Sequence, residues 1–347
     1  MEFEPLALRV AVEIDKRLRD RFEGSLMSPY AVSASERVRP SADDSFRNEV
    51  IAGLSARPRA LSPRWFYDRR GSELFEEITR LPEYYLARAE RQILSHHALQ
   101  IAALAGKGRA LVELGSGSSL KTPLLLNALA PAAYVPIDIS GDFLRDSAAA
   151  LAKMFPGLPI HPIIADFMQP LNLPAALEDL PRLGYFAGST IGNMTVPFAV
   201  DFLRNTGHIL GENALLLIGI DRIKDPQRLL AAYDDAQGVT ARFNLNLLHR
   251  INRELYATIP VDAFRHVACW NDYEARMEMH LEATRDVRFT VGGEPLSMDR
   301  GETIHTENSL KYGPREARTL LRAGGWAPLG EWTDPDELFA LILARAR

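Results

Sequence analysis

The sequence predicts an α/β protein, with a doubly wound, Rossmann-like parallel sheet and a second, smaller α+β lobe. Three observations carry that expectation. Short apolar runs alternate with helix-length segments between residues 110 and 220, and a glycine-rich turn follows the first run. Beyond Asp221 the rhythm changes to stretches that alternate residue by residue, punctuated by Gly292-Gly293 and Arg300-Gly301. The apolar runs are 110–114, 133–138, 160–165, 183–187 and 214–220. Runs this short with helix-length connections mark strands buried on both faces of a parallel sheet.

The elements follow in order. Residues 1–45 are expected to form an appendage, an amphipathic stretch to Phe22 followed by Ser- and Pro-punctuated sequence. Residues 46–105 read as helices, with Leu74, Phe75, Ile78 and Leu81 recurring at three and four, and contribute to the substrate lobe. Residues 106–240 form the Rossmann-like domain, with helical sequence continuing through Leu248. Residues 241–325 form the smaller lobe, with strands at 275–283 and 287–291. In the final segment, 326–347, the run 338–343 returns to the main sheet.

Bulk properties narrow the function. The chain has 347 residues, 47% hydrophobic and 24% charged, as in an ordinary globular protein. A formal charge of −5 argues against nucleic acid or an anionic membrane as main partner. Arg64, Arg69 and Arg70 cluster, but acidic residues interleave with them. The first residues mix Glu2, Glu4, Arg9 and Glu13 into the apolar ones, unlike a signal peptide, and no apolar run is long enough to span a bilayer. A cytoplasmic location is expected, and nothing in the sequence demands more than a monomer. Cys269 is the single cysteine, so no intrachain disulfide can form; beside Trp270 it reads as a packing residue. The eight histidines show no metal-ligand spacing, and no metal is expected.

The turn Glu113-Leu-Gly-Ser-Gly117 follows the first strand and opens a helix, which puts it at the carboxyl edge of the sheet where ligands bind. Three ligands compete for it. A dinucleotide wants a third glycine where Leu120 stands. The phosphate-binding pattern fails at the same residue, leaving Lys121 as a cation at the helix start. S-adenosylmethionine (SAM), which has no phosphate, needs the close turn and an acidic residue after the second strand to accept its ribose hydroxyls. Asp138 fits that role, and Asp166-Phe167 follows the third strand, placed for the adenine amino group and ring. SAM is favoured over a dinucleotide or a purely structural turn. Gly188-Ser-Thr-Ile-Gly-Asn193 ends the fourth strand and only superficially resembles a nucleophile elbow, with Thr190 where serine should stand.

Together with Trp65-Phe-Tyr-Asp68, Leu81-Pro-Glu-Tyr-Tyr85, Lys121-Thr122, Tyr233-Asp-Asp235, Gly238-Val-Thr240 and Thr306-Glu-Asn-Ser309, these strings strongly resemble the histidine Nα-methyltransferase family of ergothioneine biosynthesis. The resemblance runs from about Leu61 to the C-terminus. It implies a class I SAM methyltransferase sheet with a substrate-binding lobe, and trimethylation of the α-amine of L-histidine to hercynine. By that resemblance SAM meets Gly115, Lys121, Asp138, Asp166 and Phe167. The histidine carboxylate lies near Asn193 and Tyr233. Glu307 and Ser309 bind the imidazole, with Tyr84 adding a hydroxyl. Tyr67 and Phe75 border the amine, Gly188 and Thr190 line the pocket, and Met279 closes its imidazole end. A carboxylate against an imidazole N–H selects histidine by leaving a buried acid unpaired with other side chains. The sulfonium is already activated, so alignment of a neutral amine is the main requirement; its proton leaves to water or through Tyr67. Two alternatives stand beside this: a relative acting on another aromatic amino acid such as tryptophan, and a SAM-binding module without catalysis.

Overall fold

A computed structural model describes residues 42–117, 121–169 and 171–347. The 1–45 appendage, apart from its last residues, and Leu120 lie outside them. The main sheet has seven strands: β2 (Ala110–Leu114), β3 (Ala133–Asp138), β4 (Ile163–Ile164), β5 (Arg182–Phe186), β6 (Leu215–Asp221), β12 (Trp326–Thr333) and β13 (Phe339–Ala346), in the order β12-β13-β6-β5-β2-β3-β4. β4, β3, β2, β5 and β6 are parallel, and β13 and β12 add an antiparallel edge. The order reverses between β2 and β5, so a crevice opens where the turns after β2 and β5 diverge. β4 is shorter than its apolar run because Pro159 and Pro162 cannot donate to a ladder; Ile160 keeps a single bridge to Tyr134.

Alternate side chains divide the core into two clusters, one on each face of the sheet. Val112, Leu114, Phe186, Leu216, Ile218 and Ile342 face one side, with α6 (Val196–Leu210), α9 (Pro314–Ala323) and Trp326. Leu111, Leu183, Tyr185, Leu215, Leu217 and Leu341 face the other. That second cluster runs on without a break into the helices before the sheet and into the lobe. The helices are α1 (Ala42–Ser55), α2 (Arg69–Thr79) and α3 (Tyr85–Ala105).

The lobe has a four-stranded sheet in the order β1-β11-β8-β7: β1 (Arg59–Ala60), β7 (Phe264–Asn271), β8 (Arg276–Ala283) and β11 (Thr303–Leu310). A hairpin of β9 (Val287–Val291) and β10 (Glu294–Met298) and helix α8 (Val239–Leu255) complete it. β8 has the strict alternation of a half-buried strand, with Met277, Met279, Leu281 and Ala283 inward. β7 and β11 were not legible as strands because polar residues break their alternation. On β11 a bulge between His305 and Glu307 shifts the register, and Thr306 Oγ1 donates to the Met279 carbonyl across it. The helix α9, inside the 241–325 stretch of the sequence reading, packs on α6 and β12 of the main sheet. No helix among the described residues is long and apolar enough to cross a membrane.

Candidate active site

At the end of β2, Gly115 sits at φ +71°, a conformation open to glycine, and an added Cβ would come within 3.3 Å of the Phe167 ring. The turn and that ring therefore face each other. Phe167 is fixed edge-on to Phe186 (5.5 Å) and Phe202 (5.9 Å). Asp138, ending β3, accepts the Gly117 N–H (2.9 Å) on one oxygen and the Ser140 N–H (2.9 Å) on the other. Burial raises its pKa, opposed by those same backbone donors. A carboxylate has about four acceptor sites, so each oxygen keeps room for a further donor, as a pair of ribose hydroxyls would need. Asp166 spends one oxygen on the Met168 N–H (2.9 Å) and the other on Arg64 (2.8 Å), which also pairs with Glu49. An apolar ring, a bare backbone turn and a half-buried carboxylate at one sheet edge fit SAM, which offers an adenine, a ribose diol and no phosphate.

Lys121 turns toward Glu90 rather than outward along the turn. Glu90 is fully buried on α3 and collects the Lys121 ammonium, the Tyr185 hydroxyl (3.0 Å) and the Gly188 N–H (3.1 Å). One carboxylate thus ties the turn after β2 to the Gly188–Asn193 segment after β5. Glu90 was missed in the sequence, although it had a signal. It lies four residues from both Leu86 and Leu94, on the apolar stripe of its helix.

The segment after β5 holds Ser189 at φ +61°, its hydroxyl accepting the Asp221 N–H at 2.8 Å. Thr190 donates to the Ala187 carbonyl, closing a 3₁₀ turn, Thr190–Asn193. Gly192 lets this turn approach β11: a Cβ there would lie 2.7 Å from the Leu310 carbonyl oxygen. The approach brings Asn193 to Glu307, to which its side chain hydrogen-bonds. Glu307 and Ser309, two apart on β11, share a face, and Met279 stands directly across from Glu307.

An aromatic wall closes the space. Asp68 accepts the Gly71 N–H (2.7 Å) at the start of α2 and is held by Asn246 and Arg253, which fixes Tyr67 beside it. Tyr67 packs edge-on to Phe75 (5.7 Å), Phe75 to Tyr84 (6.2 Å), and Phe243 of α8 backs Tyr67 and Phe75. Burial, then the charge of Glu307, keeps the Tyr67 phenol protonated well above the usual range; Tyr84 is raised by burial, then by Tyr233 and Glu307. Burial likewise pushes Glu307 up to about 7, against the pull of Lys311 and the Asn193 bond. Ring contacts, strand pairing and hydrogen bonds thus bring together Tyr67, Phe75 and Tyr84 on one side and Met279, Glu307, Ser309, Tyr233 and Asn193 on the other, with Gly188 and Thr190 on the segment that carries Asn193.

Beneath it lies an ionic network that sequence reasoning did not find. Asp221, fully buried at the end of β6, receives Lys311 (2.8 Å), Lys224 and the Tyr85 hydroxyl (2.8 Å). Burial works to raise the Asp221 pKa, but the two lysines prevail and hold it low; burial draws Lys224 down to about 8. Lys311 also donates to the Tyr233 hydroxyl (2.9 Å) and to Ser309 Oγ (2.7 Å), and Tyr233 donates to Ser309 Oγ (2.7 Å). By the geometry of the two oxygens Tyr233 is the donor in that pair. The contributing residues are scattered across four elements, which is why no local spacing betrays them.

The β7–β8 register brings Cys269, Glu278 and His280 within 4.8 Å of one another, a grouping that no sequence spacing reveals. Glu278 is already committed there: despite burial, Asn271, Arg276 and His280 draw its pKa down to about 2. With the Arg276 guanidinium on that carboxylate, we assign it no metal.

The seven-stranded order and the site at its switch point define a class I SAM-dependent methyltransferase. Residues 46–346 match the model of the histidine-specific, SAM-dependent methyltransferases, and the chain belongs to that family. It is 43% identical to the histidine N-alpha-methyltransferase of Mycolicibacterium smegmatis, over 88% of this chain and 96% of that protein. It is 33% identical to ergothioneine biosynthesis protein 1 of Neurospora crassa, over 84% of this chain and 34% of that longer one. The 4-dimethylallyltryptophan N-methyltransferase of Epichloe festucae var. lolii is 28% identical, over 84% of this chain and 92% of its own.

Proposed function

We propose that this enzyme transfers methyl groups from SAM to the α-amine of L-histidine, three in succession, giving hercynine for ergothioneine synthesis. The observation that carries the reading is the pair Glu307 and Ser309 on one face of β11, opposite Met279 and beside Asn193, under an aromatic wall. An acceptor and a hydroxyl at that spacing suit a ring with two nitrogens and leave an indole or phenyl ring unmatched.

Bound SAM supplies a methyl group on a positively charged sulfur, already activated for transfer. In this proposal Gly115 and Phe167 take the adenine side, Asp138 the ribose hydroxyls and Asp166 the adenine amine. Lys121 acts by tying the turn to Glu90 and Gly188. Asn193 and Tyr233 stand nearest the substrate carboxylate; for Tyr233 to donate there, its proton must swing from Ser309. Thr190 and Gly188 border the passage between the two halves. Tyr67, Phe75 and Tyr84 hold the amine. Tyr67, kept as a phenol, serves as hydrogen-bond acceptor for the amine and passes a proton on only by relay, since it does not become a standing base. The wall excludes water and accommodates methylammonium as it grows. A monomer working in the cytoplasm on free amino acid completes the proposal.

Incubation with SAM and each amino acid in turn, followed by mass spectrometry, tests it. Histidine should gain three methyl groups and tryptophan none. Methylated tryptophan with untouched histidine would move the reading to the tryptophan relatives, and no turnover of any amino acid would leave a binding module.

A further inference from the structure

Lys311 is wholly buried and hydrogen-bonded at all three of its protons: Asp221 (2.8 Å), Tyr233 Oη (2.9 Å) and Ser309 Oγ (2.7 Å). An ammonium has three donors and no acceptor, so none is left for a ligand. Ser309 Oγ has two lone pairs, and the structure fills both: one takes Lys311, the other Tyr233. The single valence left on that oxygen is its own proton. A serine hydroxyl ordinarily donates or accepts as its partner requires, but this one is left only to donate.

We infer that Lys311 is a positioning residue for substrate specificity: by occupying Ser309 it makes that hydroxyl an obligate donor, so the pocket takes the imidazole as one neutral tautomer. Glu307, two residues along the same face, is the complementary acceptor. A ring with a bare nitrogen toward Ser309 and an N–H toward Glu307 satisfies both. An imidazolium, with N–H at both ends, sets a donor against a donor. Tyr233 is part of the same device. If its proton moves to the substrate carboxylate, Ser309 regains one lone pair and is then a preferred rather than an obligate donor, with Lys311 still holding the other. Asp221 is what makes a cation tolerable here, since a buried ammonium without a carboxylate would lose its proton or its place. The inference rests on the histidine reading above.

A double-mutant cycle tests it. Histidine affinity is measured by calorimetry on protein saturated with S-adenosylhomocysteine, in wild type, Lys311→Met, Ser309→Ala and the double variant. Thermal melting and S-adenosylhomocysteine binding serve as fold controls. Each single change should weaken histidine binding about tenfold; in a Tyr233→Phe background, where Ser309 is the one hydroxyl that Lys311 still bonds, the double variant should match Ser309→Ala to within about twofold. Losses that multiply to about a hundredfold would overturn the inference, since Lys311 would then support the site independently. Lys311→Gln, neutral but still polar, carries the same cycle if the methionine variant does not fold. In the wild type, histidine binding should also weaken as pH falls with two protons taken up, one on the ring at about 6.5 and one on Glu307, pushed up to about 7. Folded Lys311→Met or Lys311→Gln should keep only the Glu307 proton, taken up at higher pH because the pull of Lys311 is gone, and a two-proton dependence in the variant overturns the inference. Wild-type protein that neither binds nor methylates histidine would fail the underlying reading instead, so the two failures are distinct.

Discussion

Two carboxylates, one in each half of the molecule, are pushed by burial up to about 7: Glu113, fully buried near the end of β2, and Glu307, half-buried on β11. By titration alone they are twins, but their partners separate them. Glu113 accepts Thr122 Oγ1 (2.9 Å) and the Tyr134 hydroxyl (2.5 Å), both themselves fully buried, beneath the cofactor turn. Glu307 has Asn193 and otherwise faces a chamber of aromatic rings. A perturbed pKa thus marks burial, and the identity of the missing donor marks a site. The protein completes Glu113 with its own hydroxyls, whereas in the proposed reading Glu307 is completed by a substrate N–H.

The largest expected effect follows from that difference. Glu307→Ala should lower kcat/KM for histidine by about 10³-fold or more, since a site built to pair a ring N–H loses its acceptor, while SAM binding is retained. Kinetics with histidine and calorimetry with SAM check this, and unchanged histidine kinetics would remove Glu307 from the site.

Glu113 should instead reveal itself in stability. A carboxyl whose folded pKa is above its unfolded value binds more protons folded than unfolded. Its contribution is complete below about 4.5 and is lost as pH rises through about 7. Urea unfolding of wild type and Glu113→Gln at about pH 5 and about pH 8 should show the wild type losing on the order of 3 kcal/mol more than the variant over that interval. Glu307 titrates alike in both proteins and cancels. A gap that does not change with pH would mean that Glu113 is not held protonated by the fold.

The same contrast explains what the sequence disclosed. The main sheet was legible because each strand is a local apolar run, and the residues proposed for the cofactor sit at strand ends, where Gly115, Asp138 and Asp166 are fixed by one strand each. Glu307 and Ser309 became candidates only through the family resemblance, because β11 is too polar to read as a strand and its bulge hides the register. Lys311, Asp221 and Lys224 stayed invisible, and Tyr85 appeared only as the end of the Leu81–Tyr85 string, for a further reason. A charged residue is ordinarily a solvated one, and only a tertiary pairing between β6, β11 and α3 makes these four a unit.

On the cofactor side, Asp138→Ala should weaken SAM by about 30-fold, close to 2 kcal/mol, the value of a charge-assisted hydrogen bond. The loss of the Gly117 and Ser140 anchors would loosen the turn as well. Calorimetry should find histidine turnover recovered at saturating SAM. An unaltered SAM affinity would count against the ribose assignment.

The smallest effect separates charge that titrates from charge that does not. In the proposed reading Glu307 meets the ring through a proton, but the methylated amine becomes a permanent cation, which has no N–H to offer once three methyl groups are on. Only the aromatic wall can recognise it, through the negative faces of Tyr67 and Phe75, a term of about 0.5–2 kcal/mol. Phe75→Leu keeps the apolar bulk and removes the ring. It should weaken binding of trimethylated histidine about threefold to tenfold and that of histidine by less, because an amine that still carries N–H keeps its hydrogen bond to Tyr67. Equal losses for both ligands would mean that Phe75 only fills space, and the chamber would then have to release its product on the strength of Glu307 and Asn193 alone.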